Sequence, residues 1–347
     1  MKIVKIGNRP VGDSHPCFII AEAGSNHNGK LQQALKLIDV AAKSGADAVK
    51  FQLFRADRLY VGAAGSADYL KAGKSIYDII KDMEMPAAWL PKIVRHCRKR
   101  GIMFMCSSFD EQSLELINRF TPVHKIASYE SNHLPFIKKV AGKGKPAIMS
   151  TGASPIDEVR ESVKAFCSTG NRKLILMQCT AKYPAPAWAM NLRAIAAMKK
   201  EFGLPVGLSD HSMDPYVAPI AAIALGANAL EKHFTLSRKM KGPDHKFALE
   251  PGELAAMVKA VRQAEAALGN GKKIVLPEEK ELYLFAKRAV HATKAIRRGE
   301  KFAVHNVAVL RPGKVKRGVH PRYYEKLLGK KAKRSIAPWQ GIQKGDF

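Results

Sequence analysis

Short runs of β-branched and apolar residues alternate with longer amphipathic stretches through the first two-thirds of the chain. The runs fall at 18–23, 48–53, 102–106, 124–127, 146–149, 174–178, 205–208 and 229–233. Between them apolar residues recur at spacings of three and four, as in 31–44 and 158–167, which predicts strand followed by helix eight times over. Glycine-containing stops precede several strands, as in Ser44-Gly45-Ala46-Asp47 and Leu225-Gly226-Ala227-Asn228. Continuous apolar strands alternating with helices need a parallel sheet covered on both faces. Eight such units in about 240 residues predict a closed TIM (β/α)8 barrel. A doubly wound open sheet fits less well, because no Gly-x-Gly-x-x-Gly follows the first strand. After a helical stretch at 251–268, Gly269-Asn270-Gly271 breaks the rhythm. The predicted organisation is a catalytic barrel over 1–271, a linker over 272–284 and a small β-rich domain over 285–347. Short runs at 289–292 and 307–310, then Pro312-Gly313, mark that last domain.

Composition adds bounds. With 347 residues, 46% of them hydrophobic, the chain can bury a large core. No apolar run is long enough for a membrane-spanning helix. The first residues are polar and punctuated by Gly, Asn and Pro, unlike a secretion signal. Five cysteines (Cys17, Cys97, Cys106, Cys167 and Cys179), with no Cys-x-x-Cys pair, fit a reducing cytoplasm. Lys and Arg number 58 against 30 acidic residues, a formal charge of +28. Residues 285–347 hold 17 of the basic and 3 of the acidic residues, which is +14 and half the excess. Such a surface draws anions of any kind, so a polyanion-binding protein is the competing reading from another class. No recognisable nucleic-acid motif or aromatic platform accompanies the charge, so no specific nucleic-acid partner is expected.

In such barrels the chemistry sits at the carboxyl ends of the strands. The first predicted strand brings Glu22, followed by Gly24-Ser25-Asn26-His27-Asn28-Gly29, and the second carries Lys50 and Gln52. The third ends at Cys106-Ser107-Ser108, the fourth holds Lys125 with Ser128 and Glu130 beyond it, and the fifth ends Ser150-Thr151-Gly152. The sixth supplies Cys179-Thr180 and Tyr183, the seventh Ser209-Asp210-His211, and the eighth Glu231, Lys232 and His233. One lysine in a strand is ordinarily salt-bridged or snorkelling. Two on one rim among hydroxyls are different, because buried ammonium groups are costly unless they meet an anion. Lys50 and Lys125 therefore predict a cradle for a small phosphorylated acid. A lone strand-end histidine is likewise ordinarily structural, but His211 and His233 lie on neighbouring strands and can face one point. Two imidazoles with open positions for water and substrate suit Mn, Fe, Co or Zn. Asp210 and Glu22 are placed to orient those ligands or to act on a water at the metal. Asp244, after strand eight, is equally placed to cap its loop.

With these residues in place the chain resembles the sialic acid synthase family, which condenses phosphoenolpyruvate with an N-acylated sugar aldehyde to give nonulosonic acids. The resemblance rests on Glu22-Ala23-Gly24-Ser25-Asn26-His27-Asn28-Gly29, Lys50-Phe51-Gln52, Lys125-Ile126-Ala127-Ser128 and Ser150-Thr151-Gly152. It continues through Cys179-Thr180 with Tyr183-Pro184, Gly207-Leu208-Ser209-Asp210-His211, Glu231-Lys232-His233-Phe234 and Gly242-Pro243-Asp244. The basic C-terminal stretch resembles the family's antifreeze-like (SAF) domain through Ile296-Arg297-Arg298-Gly299-Glu300, Leu310-Arg311-Pro312-Gly313 and Leu327-Leu328-Gly329-Lys330-Lys331-Ala332.

The resemblance implies that Lys50, Gln52, Ser107, Lys125, Ser128, Ser150 and Ser209 hold phosphoenolpyruvate. It implies a divalent metal, Mn2+ or Mg2+, on His211 and His233, with Glu22 positioning or deprotonating the attacking water. Glu130, Tyr183 and Asp244 would contact the sugar, and Arg311 would reach it across a domain-swapped homodimer. Two departures bear on the sugar. Ala181 stands where many N-acetylneuraminate synthases carry asparagine, and strand four reads Lys-Ile-Ala-Ser-Tyr-Glu in place of Lys-Ile-Gly-Ser-Gly-Glu. Both are closer to pseudaminic acid synthases and spore-coat relatives. Cys106-Ser107 replaces a common Ser-Thr and keeps one hydroxyl.

Overall fold

Eight parallel strands close into a barrel, with the last returning to pair with the first. The computed structural model describes residues 2–65 and 75–347. A hairpin comes first, β1 (Val4–Ile6) and β2 (Arg9–Val11), antiparallel with Ile6 opposite Arg9. The barrel follows as β3 (Phe18–Gly24), β4 (Ala48–Leu53), β5 (Met103–Ser108) and β6 (His124–Ile126). It is completed by β7 (Ala147–Ser150), β8 (Leu174–Cys179), β9 (Val206–Asp210) and β10 (Ala229–His233). A helix follows each strand, from Leu31–Lys43 after β3 to Pro251–Leu268 after β10. Local chemistry sets the helix ends. Glu250 and Glu253 form a reciprocal capping box at the start of Pro251–Leu268. Gly101, at φ 67°, stops Leu90–Arg100 in the left-handed conformation. No helix among the described residues is long and apolar enough to cross a membrane.

Alternation along the strands sorts the side chains into two cores. Ile19, Ala21, Val49 and Phe51 face outward and pack with the helices. Phe18, Ile20, Ala48, Met105, Ile148, Ile175 and Ala229 fill the barrel's amino-terminal half together with Val4, Ile6 and Val11 of the hairpin. The hairpin therefore plugs the end opposite the strand termini that carry chemistry. Gly207 in β9 is required by space. A Cβ there would stand 2.3 Å from the carbonyl oxygen of Ala229. Gly207→Ala is expected to destabilise the barrel by about 2–3 kcal/mol, read as an earlier urea midpoint.

The chain divides into two compact units, Met1–Gly269 and Asn270–Phe347. In the second, the runs predicted as strands form β11 (Ala289–Ala292) and β12 (Val307–Leu310), antiparallel with Val290 opposite Val309. Val290, Ile296, Phe302, Leu327, Ile336 and Ile342 make its core. The stretch read as a linker carries a short helix, Lys280–Ala286.

Candidate active site

The carboxyl-terminal half of the barrel interior is polar. Lys50 Nζ lies 3.0 Å from Glu22 and 3.5 Å from Glu231, and donates to Ser107 Oγ at 3.0 Å. Lys125 Nζ lies 3.7 Å from Glu231 and donates to Ser150 Oγ at 2.8 Å and to the Ile126 carbonyl at 3.3 Å. Ser209 Oγ donates to Glu231 at 3.3 Å, and Gln52 Nε2 donates to Glu22 at 2.7 Å. Both lysines are only 2% exposed, so their charges must be met inside the protein.

Two ammonium groups thus share one buried cluster with two carboxylates. Burial pushes the Glu22 carboxyl up, with the like charge of Glu231 adding and Lys50 opposing. For Glu231 burial acts the same way, but Lys125 and Lys50 outweigh it and hold the group below the usual range. Burial disfavours charge on Lys50, yet Glu22 and Glu231 raise it. Lys125, less closely paired, is pushed down by burial. The cluster is self-neutralising, and an entering phosphate or carboxylate meets two cations already fixed in place.

His211 and His233 face one another with ring centroids 5.6 Å apart. His211 Nδ1 donates to the Thr180 carbonyl at 2.8 Å, which fixes the orientation of the ring, and the Cys179 sulfur lies 3.9 Å from Nε2. Nδ1 of His233 is buried and has no hydrogen-bond partner among the described residues. Burial, with the positive charges of His211 and Lys50, holds His233 well below the ordinary histidine range, in the neutral form that ligates. Burial also opposes charge on His211, but the Cys179 thiol at 3.8 Å and the Thr180 carbonyl raise it. Tyr183 stacks on His211 at 4.1 Å, and Phe247 closes against His233 at 5.2 Å. Among the described residues no cluster of three or more His, Cys, Asp or Glu side chains is arranged to hold a metal. Any ion on this pair keeps open positions.

Around this centre Ser128 Oγ accepts from the Gly152 amide at 3.0 Å. Burial raises Asp244 to about 6. Its Oδ2 crowds Gly24, standing 3.3 Å from where a Cβ would be, with Glu22 Oε1 at 3.5 Å and Gln52 Nε2 at 3.6 Å from the same point. Asp244 therefore belongs to the centre as well as to its loop. Glu130 is buried and raised to about 7 by desolvation against the pull of Lys125, and its Oε2 has no hydrogen-bond partner among the described residues. Its carboxyl takes up a proton on folding between the unfolded value of 4.5 and about 7, so stability falls as pH rises through that window. Glu130→Gln is expected to gain about 1–3 kcal/mol on the wild type between about pH 5 and pH 8, measured by urea unfolding.

Two sequence expectations change. Asp210 does not orient the histidines. Strand alternation turns it outward from the barrel, where Lys232 Nζ lies 2.6 Å away and also donates to the Ser212 carbonyl at 2.6 Å. Glu231, given no role by sequence reasoning, is the carboxylate between the lysines. Its signal was parity, because it lies two residues before His233 and shares its face. Arg311 lies in the second unit, exposed and directly after β12.

A closed parallel barrel with charged and titratable groups gathered inside its strand ends has the architecture of an enzyme. The NeuB family model matches residues 37–273 and the SAF domain model residues 287–347. The chain belongs to the NeuB family, the sialic acid synthase family, and is a transferase-type synthase with a C-terminal SAF domain. It is 44% identical over 360 residues to the spore coat polysaccharide biosynthesis protein SpsE of Bacillus subtilis, spanning 99% of this chain and 96% of that one. It is 39% identical to the pseudaminic acid synthase of Campylobacter jejuni, over 95% of this chain and 96% of that one. The crystal structure of the N-acetylneuraminic acid synthetase from Leptospira borgpetersenii superposes with a TM-score of 0.73 at 31% identity, covering 81% of this chain and 95% of that one.

Proposed function

We propose that the protein condenses phosphoenolpyruvate with an N-acylated hexosamine aldehyde, giving a nonulosonic, sialic-type acid and inorganic phosphate. The observation that carries this is the pair of fully buried lysines, Lys50 and Lys125, bracketed by Ser107 and Ser150 inside the barrel. Ser128, Ser209 and Gln52 complete the cradle. In the reaction, carbon 3 of phosphoenolpyruvate bonds to the aldehyde carbon, whose oxygen takes a proton. Water adds to the cationic carbon 2, and that carbon then breaks its bond to the phosphate oxygen. Glu22, raised by burial and close to Lys50, is the base that takes the proton from that water. The open-sided histidine pair, with His233 held in its neutral form, fits a divalent ion. Mn2+ or Mg2+ on His211 and His233 would polarise the aldehyde oxygen. Glu130, Tyr183 and Asp244 face the sugar. Arg311 completes its acyl site from the partner of a domain-swapped homodimer in the cytoplasm.

The relatives' names support two choices of sugar. N-acetylmannosamine is one. A 2,4-diacetamido-2,4,6-trideoxyhexose, as pseudaminic or legionaminic acid synthases would take, is favoured by Ala181 and Tyr129. The high net charge lies largely on residues outside the barrel interior and does not account for the buried lysines, which weighs against a polyanion-binding protein. A phosphate-release assay with phosphoenolpyruvate and each aldehyde tests the reading. Release with one or the other is expected, and release with neither would refute it.

A further inference from the structure

The stretch 234–250 carries the chain from β10 to the helix Pro251–Leu268 and bears Asp244 partway along. Lys241, Gly242 and Pro243, immediately before Asp244, are exposed. His245, immediately after it, is fully buried. A long connection holds a carboxylate at a reaction centre only where side chains tie it to the scaffold.

Both nitrogens of the His245 ring are engaged. Nε2 lies 2.9 Å from Asn28 Oδ1, and Nδ1 lies 2.6 Å from Thr235 Oγ1. The Asn28 amide donates through Nδ2 to the Lys241 carbonyl at 2.9 Å, so its Oδ1 is the end that accepts. Nε2 of His245 is therefore the donor to Asn28, and Nδ1 accepts from the Thr235 hydroxyl. Burial, which pushes His245 below the ordinary histidine range, fits this neutral form. Thr235 stands at the start of the stretch, Lys241 at its exposed part and Asn28 in the loop after β3. One imidazole and its partner amide thus join three separate points of the chain.

Packing repeats the message. Gly242 has φ 145°, and a Cβ there would stand 2.7 Å from Cδ2 of His245, so the backbone leading to Asp244 lies directly on the ring. At the other end, Oδ2 of Asp244 crowds Gly24 beside Glu22 and Gln52.

We propose that His245 is a positioning residue: its ring latches the loop after β10 onto the loop after β3 and so seats the Asp244 carboxylate in the aldehyde site. The proposal rests on the synthase reading above, in which Asp244 faces the sugar. It is tested with the full-length enzyme in the phosphate-release assay, with a melting curve to establish folding. His245→Ala should raise KM for the aldehyde that turns over about tenfold, while KM for phosphoenolpyruvate stays within about twofold. A merely structural histidine would not separate the two substrates. Asn28→Gly removes the partner amide and suits the backbone, because Asn28 sits at φ 48°. It should show the same split, and it decides the matter if His245→Ala fails to fold. His245→Gln keeps an N–H donor for Asn28 and should return KM for the aldehyde to within about threefold of the wild type. An active wild type whose Asn28→Gly variant leaves KM for the aldehyde unchanged, or raises both KM values together, overturns the latch alone. So does a His245→Gln variant as poor as His245→Ala. A wild type that releases no phosphate with any aldehyde overturns the synthase reading, and this proposal with it.

Discussion

Lys125→Met should lower kcat/KM for phosphoenolpyruvate by about a thousandfold, with most of the loss in binding of the anion. The ammonium is 2% exposed, donates to Ser150 Oγ at 2.8 Å and stands 3.7 Å from Glu231. Methionine keeps the length and apolar volume of the side chain but removes the charge. Glu231 is then offset by Lys50 alone, and an incoming phosphate meets a carboxylate that is only half compensated. The effect is therefore larger than loss of one hydrogen bond. Arginine should not restore activity, since its planar fork cannot fit where a compact ammonium is enclosed by Ser150 and the Ile126 carbonyl. Steady-state kinetics in both substrates, with a melting curve to establish folding, read the result. A variant with KM for phosphoenolpyruvate within about threefold of the wild type would remove Lys125 from the anion site.

Chelation should abolish activity, Mn2+ should restore it, and His211→Ala should lose about a thousandfold in a way that added metal cannot rescue. His211 Nδ1 is committed to the Thr180 carbonyl at 2.8 Å, so the ring presents Nε2 in one orientation. With two histidines and no third ligand clustered among the described residues, removing one leaves a single imidazole. The weakened site should show directly as a loss of Mn2+ binding by electron paramagnetic resonance, independent of turnover. Full activity after exhaustive chelation would rule out a metal at the histidine pair.

The sequence made the barrel readable because each of its strands is an apolar run followed by an amphipathic helix. Ala48–Leu53 and Ala229–His233 are found with the predicted bounds. The hairpin of β1 and β2 was missed for a physical reason, since three-residue strands are too short to display a period. Within the site, strand ends indicated which residues gather, and strand parity indicated which way they face. Reading Asp210 by position alone placed it with the histidines, whereas its neighbours Ser209 and His211 take the interior face and leave it outside with Lys232. The link from Glu231 to both lysines crosses the barrel from β10 to β4 and β6, and no local pattern encodes such a contact.

Condensation with cleavage on the carbon side of the phosphate ester has one direct test. Phosphoenolpyruvate carrying 18O in the bridging position is turned over with the accepted aldehyde, and both products are analysed by mass. Attack by water at carbon 2 predicts that the label leaves entirely with inorganic phosphate, and that the new acid takes its carbon 2 oxygen from solvent. Label retained in the sugar acid would mean attack at phosphorus, and would contradict Glu22 as the base for that water and the lysine pair as the cradle of the departing phosphate.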